Sequence, residues 1–219
     1  MKSSEVLHLA LAIVVLAALI IAPALFNHSA PSLAEAFLFS FIILTVSITA
    51  KKFFASLLES DVEHQIWTLE RWGLHKQDRF KKPLPIGILL SIMLSLFSFG
   101  TAKLMTLLVY ETTPRKTRSV RGFGHTGVYT YTSMTDWHNA LIGAAGIVAI
   151  LLLAIIAYFL PLETYSLEPL ARIATFYAFS NLLPLGKLDG TQIFFGSRVL
   201  YAALAIVTLV FFLYALLLV

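Results

Sequence analysis

About six runs of predominantly apolar residues, each of about 17–27 residues, fill most of the sequence. A run of that length has to satisfy its backbone polar groups within itself and keep its side chains from water. The economical solution is a helix across a hydrocarbon slab of about 30 Å. Composition agrees: 58% of the 219 residues are hydrophobic, 13% are charged and mean hydropathy is +0.84, outside the range of soluble domains. The pattern predicts an all-α membrane protein, one transmembrane domain over 1–219, with spans near 6–26, 33–58, 84–110, 139–160, 167–183 and 193–219. Ala22-Pro-Ala24 is a small-residue site of the kind found at the end of a signal peptide. The apolar run before it, at about 20 residues, exceeds a signal core and reads as a retained span. With no cysteines, disulfides and thiolate metal sites are excluded.

The net charge of +4 lies in two polar connections. One, at 59–82, carries Arg71, Lys76, Arg79, Lys81 and Lys82; the other, after Tyr110, carries Arg115, Lys116, Arg118 and Arg121. Six spans put these connections on opposite sides, so the Lys/Arg distribution fixes no orientation. Such short clusters suit solvated loops or lipid headgroups, and nucleic acid is not a predicted partner. In the connection 111–138, Arg-Gly-Phe-Gly-His-Thr-Gly is a turn and Val128-Tyr-Thr-Tyr-Thr alternates like a strand. These features predict a small β-hairpin at 122–134, with 113–120 as its partner strand and an exposed edge able to bind an extended segment. Thr135 or Asp136 then caps the fourth helix.

One block interrupts the apolar pattern: Asn181-Leu-Leu-Pro184-Leu-Gly-Lys-Leu188-Asp189-Gly190. It places a carboxylate and a helix-breaking Pro/Gly cluster between two apolar runs. An ionised side chain there is costly unless it is paired or faces water. Broken backbone at membrane depth persists only where protein or a wet cavity satisfies it. The block marks an internal polar site.

Asn-x-x-Pro-x-x-x-Leu-Asp-Gly resembles the second signature of the site-2 protease family, intramembrane zinc metalloproteases in which this Asp is the third metal ligand. The likeness extends to Ala140-Leu-Ile-Gly143-Ala-Ala-Gly146, similar to the family's Gly-containing helix, and to Lys82-Pro-Leu-Pro85-Ile-Gly87, similar to the start of its next core helix. Lys52-Phe-Phe-Ala55 with the later Glu63-His-Gln-Ile-Trp67 resembles the segment C-terminal to the zinc motif in archaeal-like members. Together these blocks run from about 45 to 200. The resemblance implies a site-2-protease-like core and a groove that takes membrane-protein segments, with Asn181, Pro184, Leu188, Asp189, Gly190, Gly143 and Gly146 as its groove and structural residues.

The departures matter as much. The family uses a helical His-Glu-x-x-His, two His at i and i+4 to bind zinc and a Glu to polarise water. Its place is held here by Ser47-Ile48-Thr49-Ala50-Lys51. Ser47 and Lys51 stand at the His positions and Ile48 at the general-base position. Isoleucine transfers no proton, and an ammonium repels zinc. Ile147 and Ile150 likewise replace the Pro and Asn of the family's Gly-Pro-x-x-Asn. The implied protein is a pseudoprotease, with no catalytic residues and no cofactor, that binds transmembrane or juxtamembrane segments as a regulator, adaptor or chaperone in the plasma membrane of a prokaryote. Two other readings stand beside it: a working metalloprotease whose zinc has other ligands, and a small transporter or channel subunit.

Plainer roles exist for several of these residues. Asn181 and Pro184 can kink a helix and satisfy the kink; Gly143 and Gly146, with Ala140 and Ala149, can permit close helix packing; Lys103 and Arg172 can snorkel. No two of His8, His28, His64, His75, His125 and His138 share an i, i+4 spacing. Without zinc, Asp189 needs protonation or another cation. By the resemblance, Lys51 faces it across the site. The expectation is a buried Lys51–Asp189 ion pair at about 2.7–3.5 Å, with Ser47 one turn away as a third partner. The alternative is Lys51 snorkelling beside Lys52 at a helix end.

Overall fold

The chain forms a helical bundle with a small β layer at one end. The computed structural model describes residues 3–26, 31–71, 79–99, 104–115, 134–160 and 167–217. The first helix, α1 (Ser3–Ile21), continues as a 3-10 turn over Ala22–Phe26. The second, α2 (Leu33–Leu57), begins with a capping box: Ser32 N–H donates to Glu35 Oε2 (2.8 Å) and Glu35 N–H to Ser32 Oγ (3.3 Å), satisfying two donors that a helix start leaves orphaned. It ends where Glu59 takes a φ of 51° and turns the chain into β1 (Ser60–Ile66). Strands β2 (Leu69–Arg71) and β3 (Arg79–Leu84) lead to α3 (Ile86–Phe97), and β4 (Leu108–Pro114) precedes α4 (Asp136–Phe159). Then come α5 (Glu168–Leu182), α6 (Asp189–Gly196) and α7 (Arg198–Leu217).

Four of these helical segments, Glu5–Ala24, Leu33–Leu57, Asp136–Phe159 and Arg198–Leu217, are long and apolar enough to cross a membrane. The expected span 84–110 is not one helix. Its helical part stops at Ser98 and Phe99, where φ is 53°, and 104–107 returns as extended chain into β4. Residues 104–110 are buried throughout, so a strand buried on both faces has the same apolar composition as a span. The expected span 167–183 is a helix of 15 residues, about 22 Å long, and 193–219 is broken at Ser197 between α6 and α7.

The fold is therefore mostly helical and not purely so. β1 pairs antiparallel with β4 in the register Ser60↔Pro114 to Ile66↔Leu108, and β2 with β3. Burial alternates along β1, with Ser60, Val62, His64 and Ile66 inward, as the period of two requires. Thr113 and Pro114, at the start of the strand expected to partner a hairpin at 122–134, pair with Asp61 and Ser60; the hairpin itself lies outside the described residues. At the strand ends Arg115 Nη2 and Nε lie 2.6 and 2.8 Å from Asp61 Oδ1.

Helix α4 is central, packing against α2, α5 and α6, while α7 covers α5 and α6, and α1 lies on α2 and β1. Its N-cap is Thr135, whose hydroxyl accepts from His138 N–H. The start of α1, the end of α2, the strands, the start of α4 and helix α6 share one end of the bundle, the sheet end. The 3-10 turn, the end of α4, the start of α5 and the end of α7 lie at the other.

Candidate functional site

Lys51 is inward on α2 and lies about 9 Å along the helix from Leu57, at about 1.5 Å per residue. Its ammonium is 2.5 Å from Asp189 Oδ2, and the two side chains are 4% and 2% exposed. The pair joins α2 to the first residue of α6. A snorkelling lysine would turn toward the helix end, and here Lys52 is the one that points elsewhere, to Glu5. Nζ of Lys51 also lies 4.9 Å from the centroid of the Tyr110 ring, within cation–π range. Asp189 Oδ1 has no hydrogen-bond partner among the described residues.

Neighbouring side chains are shaped around this pair. A Cβ on Gly146 would collide with the Lys51 side chain, its Cγ 3.0 Å and its Cδ 3.2 Å away, so the glycine on α4 is where the lysine stem passes. A Cβ on Gly143 would sit 2.7 Å from the Tyr110 hydroxyl and 3.3 Å from Ile193 Cγ1. That hydroxyl donates to Asn139 O at 2.6 Å. Gly190 has the main chain of Leu182 and Leu183 against it, which closes the turn from α5 into α6. Leu188 is buried with Trp67 and Val109, and Pro184 is exposed on the same turn.

Asn181 does more than mend a kink in its own helix. Its Nδ2 donates to Tyr177 O at 2.9 Å, one turn back, and to Met105 O at 3.4 Å, a carbonyl of the extended segment that no helix or ladder bond satisfies. This is the internal repair that broken backbone at such depth requires. Ser47 is buried, and its side chain interacts with the Tyr177 hydroxyl. Ile48 is partly buried against the core.

The side chains here do not make a zinc site. A dication bound to Asp189 would meet the Lys51 ammonium already there, and Ser47 and Ile48 supply neither an imidazole nor a base. Among the described residues no three His, Cys, Asp or Glu side chains converge.

Beside the pair, a cleft of about 610 Å³ opens between β4, the start of α4 and the turn into α6, lined by residues that include Tyr110, Glu111, Thr112, Asp136, Lys187 and Gln192. Leu107 O accepts from Trp67 N–H (2.9 Å) and Arg115 N–H donates to Glu59 O (3.0 Å). Odd-numbered residues of β4 thus turn their main-chain groups to β1, and Tyr110 and Thr112 turn theirs to the cleft. Tyr110 O there accepts from Gln192 Nε2 at 3.2 Å. Tyr110 touches both cleft and ion pair. Nothing in the sequence set it apart, since it closes an apolar run.

A second buried charge cluster, absent from the sequence expectations, adjoins the first. Glu5 of α1, 5% exposed, lies 2.6 Å from Lys52 Nζ and 3.5 Å from His64 Nδ1. Burial holds the His64 imidazole well below its ordinary pKa, and the Lys51 and Lys52 charges push the same way. Its signal was a lone Glu at the head of an apolar helix. The chain matches no known family model, no curated protein and no solved structure.

Proposed function

We propose that this chain is a site-2-protease-like membrane protein that performs no zinc hydrolysis and instead binds segments of other membrane proteins as a regulator, adaptor or chaperone. It is read as a multi-pass protein of a prokaryotic plasma membrane. The observation that carries the reading is the Lys51–Asp189 contact at 2.5 Å. The residue at the second His position of the degenerate motif and the Asp at the third-ligand position meet, as the resemblance requires of a metal site, and an ammonium stands where a zinc ligand would be. A paired, neutral site lowers the cost of burying Asp189 and leaves no water-activating group.

The cleft supports the binding half of the reading. Its floor is a strand edge whose outward main-chain groups suit an extended segment, with Gln192 as the side chain such a segment would displace. This edge belongs to β4.

The test is metal content. Purified protein should carry no stoichiometric zinc, and the triple variant Ser47→His, Ile48→Glu, Lys51→His should carry one per chain, with Asp189 as third ligand. A folded triple variant that binds none breaks the motif alignment. Stoichiometric zinc in the unaltered protein would favour the metalloprotease reading.

A further inference from the structure

Helix α3 has 12 residues, about 18 Å, against a slab of about 30 Å. Both ends of the excursion it begins are tied to one residue. Gly87 N–H donates to Trp67 O (3.0 Å) and Trp67 N–H to Leu107 O (2.9 Å). The chain leaves Trp67 and returns to it, so 86–107 does not cross. Removing that crossing changes the charge distribution. Arg71, Arg79, Lys81 and Lys82 of β2 and β3 and Arg115 at the end of β4 then stand with Lys52, Lys187 and Arg198 at the sheet end. At the opposite end, the connections 22–32 and 160–167 contain no Lys or Arg, and Arg172 stands one turn into α5. Such an asymmetry marks the cytoplasmic side.

The cleft opens at that end, and its chemistry differs from its surroundings. On a chain of net charge +4, the described residues that line it carry the carboxylates of Glu111 and Asp136 against the ammonium of Lys187, which lies 3.5 Å from Glu111 Oε1 and leaves Asp136 in excess. Segments that flank membrane spans on the cytoplasmic side are enriched in Lys and Arg.

We propose that the sheet end is the cytoplasmic face, and that its cleft receives a basic juxtamembrane segment of another membrane protein, in extended form along β4. The orientation stands on its own; the occupant rests on the client-binding reading above.

The sequence has no cysteine, so single cysteines in the full chain report sidedness directly. With a membrane-impermeant maleimide, Asp61→Cys and Thr113→Cys should label in inverted vesicles and not in intact cells, each normalised to labelling in detergent. Leu33→Cys and Leu160→Cys, both exposed at the opposite end, should do the reverse. Labelling of Asp61→Cys or Thr113→Cys from outside overturns the proposal and leaves client binding standing. In nanodiscs, a single-span reporter with a Lys/Arg-rich juxtamembrane segment should bind at least about tenfold tighter than one with Glu in its place. Glu111→Lys with Asp136→Lys should remove that preference, and Glu111→Gln should weaken it, both at unchanged elution volume. Equal affinity for the two reporters overturns the basic-segment assignment. Binding of neither overturns the client reading as well.

Discussion

Lys51 and Lys52 are adjacent in sequence and project from α2 about 100° apart, each to a carboxylate from another helix. Lys51 meets Asp189 at 2.5 Å in a dry setting, with both side chains at 4% exposure or less. Lys52 meets Glu5 at 2.6 Å, but is itself 32% exposed, and a cavity of about 360 Å³ adjoins that pair. Bond length barely separates the two, and solvent access does. A lysine that reaches water can rehydrate when its partner is lost. A fully buried one leaves a bare charge in low dielectric.

The comparison ranks the expected effects. Lys51→Met should be the most damaging, costing about 3–5 kcal/mol in reversible unfolding in detergent, because Asp189 then stays buried without a cation. A loss under about 1 kcal/mol would erase the distinction between the pairs. Lys52→Met should cost about 1–2 kcal/mol, since the Glu5 carboxylate left behind lines that cavity, where water can reach it, and keeps His64 N–H at 3.5 Å. A cost equal to that of Lys51→Met would mean that burial is not what separates them.

The smallest effect is on pH dependence and concerns the second cluster. Burial and the Lys51 and Lys52 charges hold the folded His64 pKa well below its ordinary value, while the unfolded imidazole takes a proton near about 6.5. Below that pH the unfolded state binds more protons than the folded one. Stability is then full above about pH 6.5 and falls as pH drops toward the folded value. His64→Phe should flatten that acid limb of the melting profile, and an unchanged limb would assign it to other groups.

The first cluster was legible in the sequence because a carboxylate between apolar runs has few inexpensive explanations, and because the resemblance supplied its partner across 138 positions. The second was not legible. Glu5 and Lys52 stand at helix ends, where exposed charges are ordinary, and their contact depends on how α1 lies against α2. The helices α1, α2 and α4 were readable from apolar length, and the α4 start from Thr135. The segment 84–110 was misleading for a physical reason: a short apolar helix leading into a strand buried on both faces has the composition of one long span. The pairing of β1 with β4 spans 42 to 54 positions, from Ile66↔Leu108 to Ser60↔Pro114, which alternation within β1 alone does not reveal. Tyr110 was equally hidden, since its role comes from that pairing, which sets its ring over Lys51.

The central claim is that the Lys51 ammonium is the cation that keeps the buried Asp189 carboxylate paired. A double-mutant cycle on stability, with Lys51→Met, Asp189→Leu and the combined variant, tests it most directly. The account predicts strong non-additivity, with the double variant far less destabilised than Lys51→Met alone, because removing both charges leaves nothing unpaired. Additive effects within about 0.5 kcal/mol would contradict it.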